Sequence, residues 1–482
     1  MNIKLRLTAL SFFQFFVWGA WLITIANYWF GTKHWDGTKF GAVFSTMGIA
    51  SVFMPTITGI IADRWINAEK IYGILHILYA GVLFYLPQVT SPENFFVVML
   101  LAMIFYMPTI ALANSISYTL LKDHHYDVVK DFPPIRVWGT IGFIVAMWIT
   151  NLTGNKATEY QFYIAGIAAI ILGLYSFALP ACKPQKLISK DSSLVEILGL
   201  NAFKLFGNYK MALFFIFSMF LGGALQLTNA YGDVFLSEFE NFPKYADSFV
   251  VKYSTIIMSI SQVSETLFIL AIPFFLKKYG IKNVMLMSMF AWVLRFGLFG
   301  FGNPTTGLWM IIFSCIVYGM AFDFFNISGS LFVETNTNSK IRSSAQGLFM
   351  MMTNGFGAII GSVTAGWAID KYFTLKFTTT DGLAKYLDTT TNNSKFLEFI
   401  SKQKIDIVNG TLSKEIAMKD WSNIWLAFAA YALVIAVFFA LMFKHKHNPK
   451  ELGEVSHEFL KIIQKHTFFE CVFFVFWQNN KQ

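Results

Sequence analysis

Long apolar segments separated by short polar ones run through almost the whole chain. A helix needs about 20 mostly apolar residues to cross the hydrocarbon core of a membrane. Twelve segments meet this requirement, so the pattern predicts an all-α polytopic membrane protein with twelve transmembrane helices. The predicted spans cover residues 7–30, 40–62, 70–88, 95–121, 135–152, 160–180, 210–232, 252–276, 283–301, 307–332, 343–368 and 421–443.

The spans divide into two groups of six, which resemble each other in order. Span four ends with NSIS and the next begins IRVWG, whereas span ten contains NISGS and the next begins IRSSA. A duplicated six-helix unit produces such an internal sequence repeat and is typical of parallel-repeat transporters. We therefore predict an N-terminal half (1–180), a basic cytoplasmic linker (181–209), a C-terminal half with a long outer loop at about 370–420 (210–447) and a cytoplasmic tail (448–482).

The composition supports a membrane protein and excludes several other classes. Only 13% of the 482 residues are charged and 55% are hydrophobic, whereas a soluble domain has about 25% charged residues. The three cysteines are scattered, which predicts neither a disulfide framework nor a zinc site. HExxH, GxSxG and phosphate-binding loop motifs are absent from the sequence, so we predict no enzyme activity, no metal and no cofactor.

Lysine and arginine are concentrated in one set of alternating loops. Because positive loops stay in the cytoplasm, this asymmetry predicts that both termini are cytoplasmic. The same residues explain the net charge of +9 without a nucleic-acid partner. The residues that set this orientation are Lys4, Arg6, Arg64, Lys70, Lys122, Lys130, Lys277, Lys278, Lys282, Lys340, Arg342, Lys444 and Lys446.

Polar residues inside the spans recur at helical spacing, which places each set on one face of its helix. Charged side chains at mid-bilayer cost about 2.5–3.5 kcal/mol on insertion scales, so such faces are expected to point into the bundle. The four faces comprise Arg136, Thr140 and Phe143; Gln226 and Asn229; Thr255, Ser259, Gln262 and Glu265; and Tyr318, Phe322 and Asn326. Asp323 lies beside the face formed by Tyr318, Phe322 and Asn326.

These faces have a structural and a functional interpretation. Gln, Asn, Ser and Thr in membrane helices often only bond a neighbouring helix, for about 0.6 kcal/mol each. Glu265 and Asp323 lie near the midpoints of their spans, which favours a functional role. Arg136 lies nearer the cytoplasmic end, where gating, anchoring and ligand contact remain open. Aromatic rings beside amides and carboxylates suit a flat ligand with polar edges, such as a nucleobase or nucleoside.

Several long strings closely resemble the nucleoside:proton symporter family of the major facilitator superfamily. They are DFPPIRVWGTIGF, SMFLGGALQLTNAYGD, MSISQVSETLFILAIPFFL and YGMAFDFFNISGS, and the opening MNIKLRLTALSFFQFFVWGAW is similar too. The likeness covers nearly all of residues 1–370 and resumes at WSNIWLAF. It implies the major facilitator fold around a central cavity, and import of a nucleoside with a proton across a bacterial inner membrane.

The resemblance also implies roles for the polar faces. Proton coupling or gating is implied for Asp323, Glu265 and Arg136, and either acid could carry the proton. We expect a monomer in the lipid bilayer with a uridine-like nucleoside as substrate. A facilitator for another small polar solute, such as a sugar, and a transporter-like nutrient sensor remain the alternatives. The implied substrate-binding residues are Thr140, Phe143, Gln226, Asn229, Gln262, Glu265, Tyr318 and Phe322.

Overall fold

The computed structural model describes residues 2–184, 200–338 and 341–446. The predicted tail and most of the predicted linker therefore lie outside the described residues. The described chain is mostly helical, and its helices begin and end close to the predicted spans because apolar length determines both.

The first six predicted spans form one group, called here the N-terminal helices. The first span is interrupted, because α1 ends at Gly19 and a π-helical segment, Asn27–Thr32, follows after a turn. Within this group α1 packs on α5 and α6, α2 on α4, and α3 on α4 and α6. The helices are α1 (Ile3–Gly19), α2 (Gly37–Arg64), α3 (Ala68–Tyr85), α4 (Pro92–Asp123), α5 (Val128–Leu152) and α6 (Tyr160–Ser176).

The remaining spans form the C-terminal helices. The predicted spans 252–276 and 283–301 correspond to two helical arms that meet at a kink and are labelled together here as α8. Gly280 breaks it into two arms with φ 76° and ψ 168°, a conformation that glycine adopts without steric cost. The elements are α7 (Tyr209–Glu238), α8 (Ser254–Phe301), α9 (Leu308–Asn336), α10 (Arg342–Met350), the π-helical segment Met351–Gly357, and α11 (Ala358–Tyr372).

Over the described ranges, nine helices are long and apolar enough to cross a membrane. This number is smaller than the number of predicted spans for identifiable reasons. The first span is interrupted after Gly19, α6 has only 17 residues, and the two arms of α8 form one run.

The predicted outer loop at about 370–420 is a folded module with a hydrophobic core of its own, so the all-α prediction is incomplete. Its strands pair antiparallel in the order β1-β3-β2. Along β3 the buried residues Leu412, Ile416 and Met418 are spaced by even numbers, as a half-buried strand requires. The elements are β1 (Thr374–Thr379), α12 (Thr380–Tyr386), α13 (Ser394–Lys402), β2 (Ile407–Val408) and β3 (Thr411–Lys419), followed by α14 (Trp421–Met442).

Ion pairs and hydrogen bonds identify which helix ends lie together. Lys4 pairs with Asp131 at 2.8 Å, joining the starts of α1 and α5. Lys419, at the end of the module, pairs with Glu238 at the end of α7, also at 2.8 Å. We call the end where α1 begins the proximal end and the end that carries the module the distal end.

Candidate functional site

Helices α8 and α9 cross closely at the level of the predicted site residues. A Cβ on Gly319 would lie 2.6 Å from the carbonyl oxygen of Ser264 and 2.7 Å from the nitrogen of Glu265. The hydroxyl of Ser264 also donates a hydrogen bond to the carbonyl of Ile316. Small residues at such crossings let membrane helices approach each other closely. This contact holds Glu265 beside Tyr318.

Tyr318 and Phe322 form an aromatic wall on α9. Their rings lie 5.9 Å apart between centroids with an interplanar angle of 7°. Trp292 packs edge-on against Tyr318, also at 5.9 Å. Asn326, one turn further on, donates a hydrogen bond to the Phe322 carbonyl at 3.2 Å. Parallel rings with an amide at their edge provide a surface on which a flat ligand can stack.

The two predicted acids belong to one cluster with Tyr318. Asp323 is only 5% exposed, and its Oδ2 has no hydrogen-bond partner among the described residues. Glu265, which is partly buried, lies within electrostatic range of both Asp323 and Tyr318. Buried polar groups are nearly always hydrogen-bonded. The free carboxylate oxygen is therefore available to a proton or to a ligand.

Two predicted amides are also without a partner. The Oε1 atoms of Gln226 and Gln262 are buried and accept no hydrogen bond from any described residue. Gln226 is 8% exposed, and Asn229 lies partly buried less than one turn further along α7. Such acceptors can receive hydrogen bonds from the polar edge of a ligand.

The N-terminal helices present Arg136 to this cluster. Its guanidinium lies 3.9 Å from the centre of the Phe15 ring of α1, and it is within electrostatic range of Glu265. Phe143 is 9% exposed and packs edge-on against Trp18 at 6.4 Å. Arg136 thus interacts electrostatically with Glu265, a site residue of the C-terminal helices. The described contacts do not join Thr140 or Phe143 to the C-terminal site residues.

Arg295 and Asp233 are buried charged residues that the sequence analysis missed. Both are 0% exposed. Arg295 stands inside the predicted span 283–301, so the rule that drew attention to Glu265 was sufficient to find it. Asp233 lies one residue beyond the predicted end of its span, where a charge is unremarkable. No group of His, Cys, Asp and Glu within the described ranges could hold a metal ion.

Hydrogen bonds join the N-terminal and C-terminal helices at the distal end. Asn27 donates to the carboxylate of Asp233, and Trp148 donates to Ser259 at 2.9 Å. Lys156 donates to the Val251 carbonyl at 2.7 Å and to two serine hydroxyls. The distal end of the bundle is therefore closed.

The module adds charged contacts to the distal end. The Lys419 ammonium, which pairs with Glu238, also lies 3.8 Å from the centre of the Phe30 ring in the N-terminal helices. Trp421 donates to the second oxygen of Glu238 at 2.7 Å. The last residue of the module thus touches both groups of helices.

An apolar helical bundle with an acidic, amide and aromatic cluster inside it, closed at one end, defines a membrane transporter for a small solute. The fold agrees with a bacterial homologue of the human lysosomal transporter Spinster, whose structure is 13% identical and superposes with a TM-score of 0.60 over 95% of this chain and 97% of that one. Residues 1–448 match the nucleoside H+ symporter family, and the chain belongs to that family.

Close relatives support the same assignment. Nucleoside permease NupG of Escherichia coli is 48% identical over 460 residues, covering 95% of this chain and 100% of the relative. Xanthosine permease of the same organism is 48% identical over 453 residues, covering 94% and 98%. The crystal structure of a D323A mutant of NupG matches with a TM-score of 0.81 and 47% identity over 92% of this chain and 100% of that one. The predicted family and transporter class are confirmed, and the relatives are not enzymes.

Proposed function

We propose that the protein imports nucleosides together with protons across a bacterial inner membrane by alternating access. Twelve spans in two six-helix halves would enclose the substrate between them. The observation that carries the proposal is the set of buried amide and carboxylate oxygens without partners on α7, α8 and α9, together with the parallel rings of Tyr318 and Phe322 on α9. A nucleoside offers both a flat base to stack and hydroxyl and amide groups to bond.

Each group in the cluster has a proposed role in substrate binding. Gln226 and Asn229 bond the edge of the base, and the aromatic wall stacks on its face. Gln262 and Glu265 accept hydrogen bonds from the ribose hydroxyls. Thr140 and Phe143 complete the site from the N-terminal half by analogy with the family, since no described contact yet links them to the other residues.

Proton coupling is assigned to the two acids. Asp323 and Glu265 are close enough to interact, so a proton taken up by one changes the free energy of ionising the other. Arg136 lies within electrostatic range of Glu265, so protonation of Glu265 would remove an attraction between the C-terminal and N-terminal halves. The proton is the coupling ion, and no other cofactor is invoked.

The proximal end is proposed to face the cytoplasm, with both termini on that side. Positive loops at this end support the orientation. With the distal end closed by Asn27, Trp148 and Lys156, the structure then corresponds to a state closed toward the outside. A monomer suffices, because the site lies inside one chain.

The direct test is uptake of labelled uridine into a bacterial host that lacks nucleoside transport, with and without a proton uncoupler. Uptake that the uncoupler abolishes supports the proposal, and uptake that it leaves unchanged contradicts proton coupling. Excess sugar should not compete, whereas other nucleosides should. Exchange of substrate across vesicles distinguishes a transporter from a sensor, which would bind but not exchange.

Two substitutions test the assignment of the acids. In proteoliposomes, Glu265→Gln and Asp323→Asn should each lower accumulation driven by a pH gradient by more than about tenfold, because a neutral amide cannot carry the proton. If the variant also keeps exchange of substrate down its gradient, the lost group acted in coupling. Retention of full accumulation by both variants would exclude both acids as carriers.

A further inference from the structure

Arg295 is a fully buried cation in the second arm of α8. None of its hydrogen bonds to described residues goes to a carboxylate; all three acceptors are neutral. A charge held in this way inside a membrane helix is costly and is normally retained for a function. None of the roles proposed above for substrate binding or proton coupling involves Arg295.

The guanidinium joins three helical segments. Its Nε donates to the hydroxyl of Thr228 in α7 at 3.2 Å. Its Nη1 donates to the Ser314 carbonyl in α9 at 2.8 Å and to the hydroxyl of Ser261, in the first arm of α8, at 3.4 Å. In return, Ser314 donates to the carbonyl of Arg295 at 2.8 Å. The rigid, planar fork of arginine can make such divergent bonds, and a lysine ammonium cannot reproduce its geometry.

Two of the three acceptors directly precede a proposed substrate-binding residue in the sequence. Thr228 precedes Asn229, and Ser261 precedes Gln262. The guanidinium carbon also lies 4.6 Å from the centre of the Tyr318 ring, the aromatic wall itself. One buried side chain therefore supports, from behind, the amide and aromatic groups of three helical segments.

We propose that Arg295 is a positioning residue that sets the spacing of α7, α8 and α9 at the nucleoside site and thereby sets substrate affinity. It does so without touching the substrate. The inference rests on the proposed function, because it assigns Arg295 to that same site. Its chemistry predicts an effect on binding that is larger than the effect on turnover, since the groups that carry the proton are left in place.

The test compares KM and maximal rate for uridine in proteoliposomes, and uridine binding to the purified protein. We expect Arg295→Lys to raise KM about tenfold with the maximal rate within about twofold, and Arg295→Gln to raise it further. Partial rescue by lysine relative to glutamine is a signature of a retained charge. A purely structural role would instead lower the amount of folded protein and leave KM of the remainder unchanged.

Two milder substitutions keep the test decisive if the Arg295 variants do not fold. Thr228→Val and Ser261→Ala each remove one acceptor and should raise KM about threefold, with less than additive effects in the Arg295→Lys background. Ser218→Ala is the matched control, because this buried hydroxyl bonds within α7 to the Phe214 carbonyl. Its KM should not change.

The outcomes separate the two proposals. If the unaltered protein neither binds nor transports nucleosides, the proposed function fails and the role of Arg295 fails with it. If the unaltered protein transports uridine while Arg295→Lys, Thr228→Val and Ser261→Ala all keep its KM, only the positioning role is overturned.

Discussion

The buried polar groups of the N-terminal and C-terminal helices are organised differently. In the N-terminal helices Gln14 donates to Thr109 at 3.0 Å and accepts from Tyr72 at 2.5 Å. Tyr106 donates to the Gln14 carbonyl at 2.8 Å. In the C-terminal helices, by contrast, oxygens of Gln226, Gln262 and Asp323 have no partner among the described residues.

This contrast separates structural from functional polar residues. A network that satisfies itself, like the one around Gln14, holds helices together and needs nothing further. Acceptors that stay unpaired in a buried setting are costly unless something else binds them during the working cycle. Three buried polar atoms of the N-terminal helices also have no partner among the described residues, namely Trp18 Nε1, His76 Nε2 and Asn151 Oδ1, and the Trp18 ring packs against Phe143 of the proposed site.

The largest expected effect comes from removing the unpaired amides. Gln226→Ala and Gln262→Ala should each raise the KM for uridine about tenfold to a hundredfold, which is the cost of one hydrogen bond lost in a buried site. The melting temperature of the purified protein should hardly change, because neither Oε1 has a protein partner to lose. A large drop in melting temperature with an unchanged KM would show that these amides have a structural role and no role in substrate binding.

A substitution at Gln14 tests the hydrogen-bonded network of the N-terminal helices. Gln14→Leu should destabilise the protein by about 1–3 kcal/mol, because it leaves the buried Tyr72 hydroxyl without an acceptor and removes the bond donated to Thr109. Thermal melting in detergent measures the loss, and KM of the folded fraction should stay within about twofold. Gln88→Leu is the control, since Gln88 is exposed and donates only a long 3.4 Å bond to Tyr163. Equal melting temperatures for the two variants would argue against the network.

Lys419 is a paired charge at the boundary between the two groups of helices, and its replacement tests whether this contact keeps the distal end closed. Lys419→Gln removes the contact with the Phe30 ring, which has to break when the distal end opens, so the open form should gain a few-fold in population. Distances between spin labels at Gly31→Cys and Phe249→Cys measure the two forms. Lys414→Gln, an exposed position on the same strand, is the control. An unchanged distance distribution would show that Lys419 only anchors the module.

The smallest effect is expected at the exposed pair of Lys244 and Asp388, which are 2.5 Å apart. The hydrogen bond from Lys244 lowers the pKa of Asp388 below its usual range. The stabilisation is therefore present above the unfolded-state pKa, about 3.9 for aspartate, and is lost as the pH falls through the lowered value.

The paired measurement is thermal melting of the parent protein and of Asp388→Asn across this range. The parent should melt slightly higher at pH 7, and the difference should shrink as the pH falls through the lowered pKa of Asp388. A difference in melting temperature that persists at acid pH would mean that it does not come from the ion pair of Lys244 and Asp388.

Sequence patterns predict the features of this protein that depend on local spacing. Apolar length gives the spans, and a repeat of three to four residues places Tyr318, Phe322 and Asn326 on one face, as the structure has them. Lys277, Lys278 and Lys282 predict a boundary between two spans, and the two arms of α8 meet there at Gly280. The positive φ of this glycine turns the chain within a single residue, which no periodicity predicts.

Features that depend on contacts between distant residues were beyond the sequence. The electrostatic interaction of Arg136 with Glu265 links helices of different groups, and neither local sequence predicts it. Arg295 could have been found from the sequence, because it is a charged residue inside a predicted span. Its proposed role, however, depends on three neutral hydrogen-bond acceptors that are distant in the sequence. The fold of the module was hidden by its polar surface, which resembles a long loop until the even spacing of Leu412, Ile416 and Met418 is noticed.

The crossing at Gly319 restricts how the C-terminal helices can move. Because a Cβ on Gly319 would lie 2.6 Å from the carbonyl oxygen of Ser264, α8 and α9 touch backbone to backbone at this level. We expect two helices packed this closely to move together as one unit during transport. Glu265 and Asp323, one on each helix, would then keep their separation, and the changes that drive transport would come from the opposite half, from water or from the nucleoside.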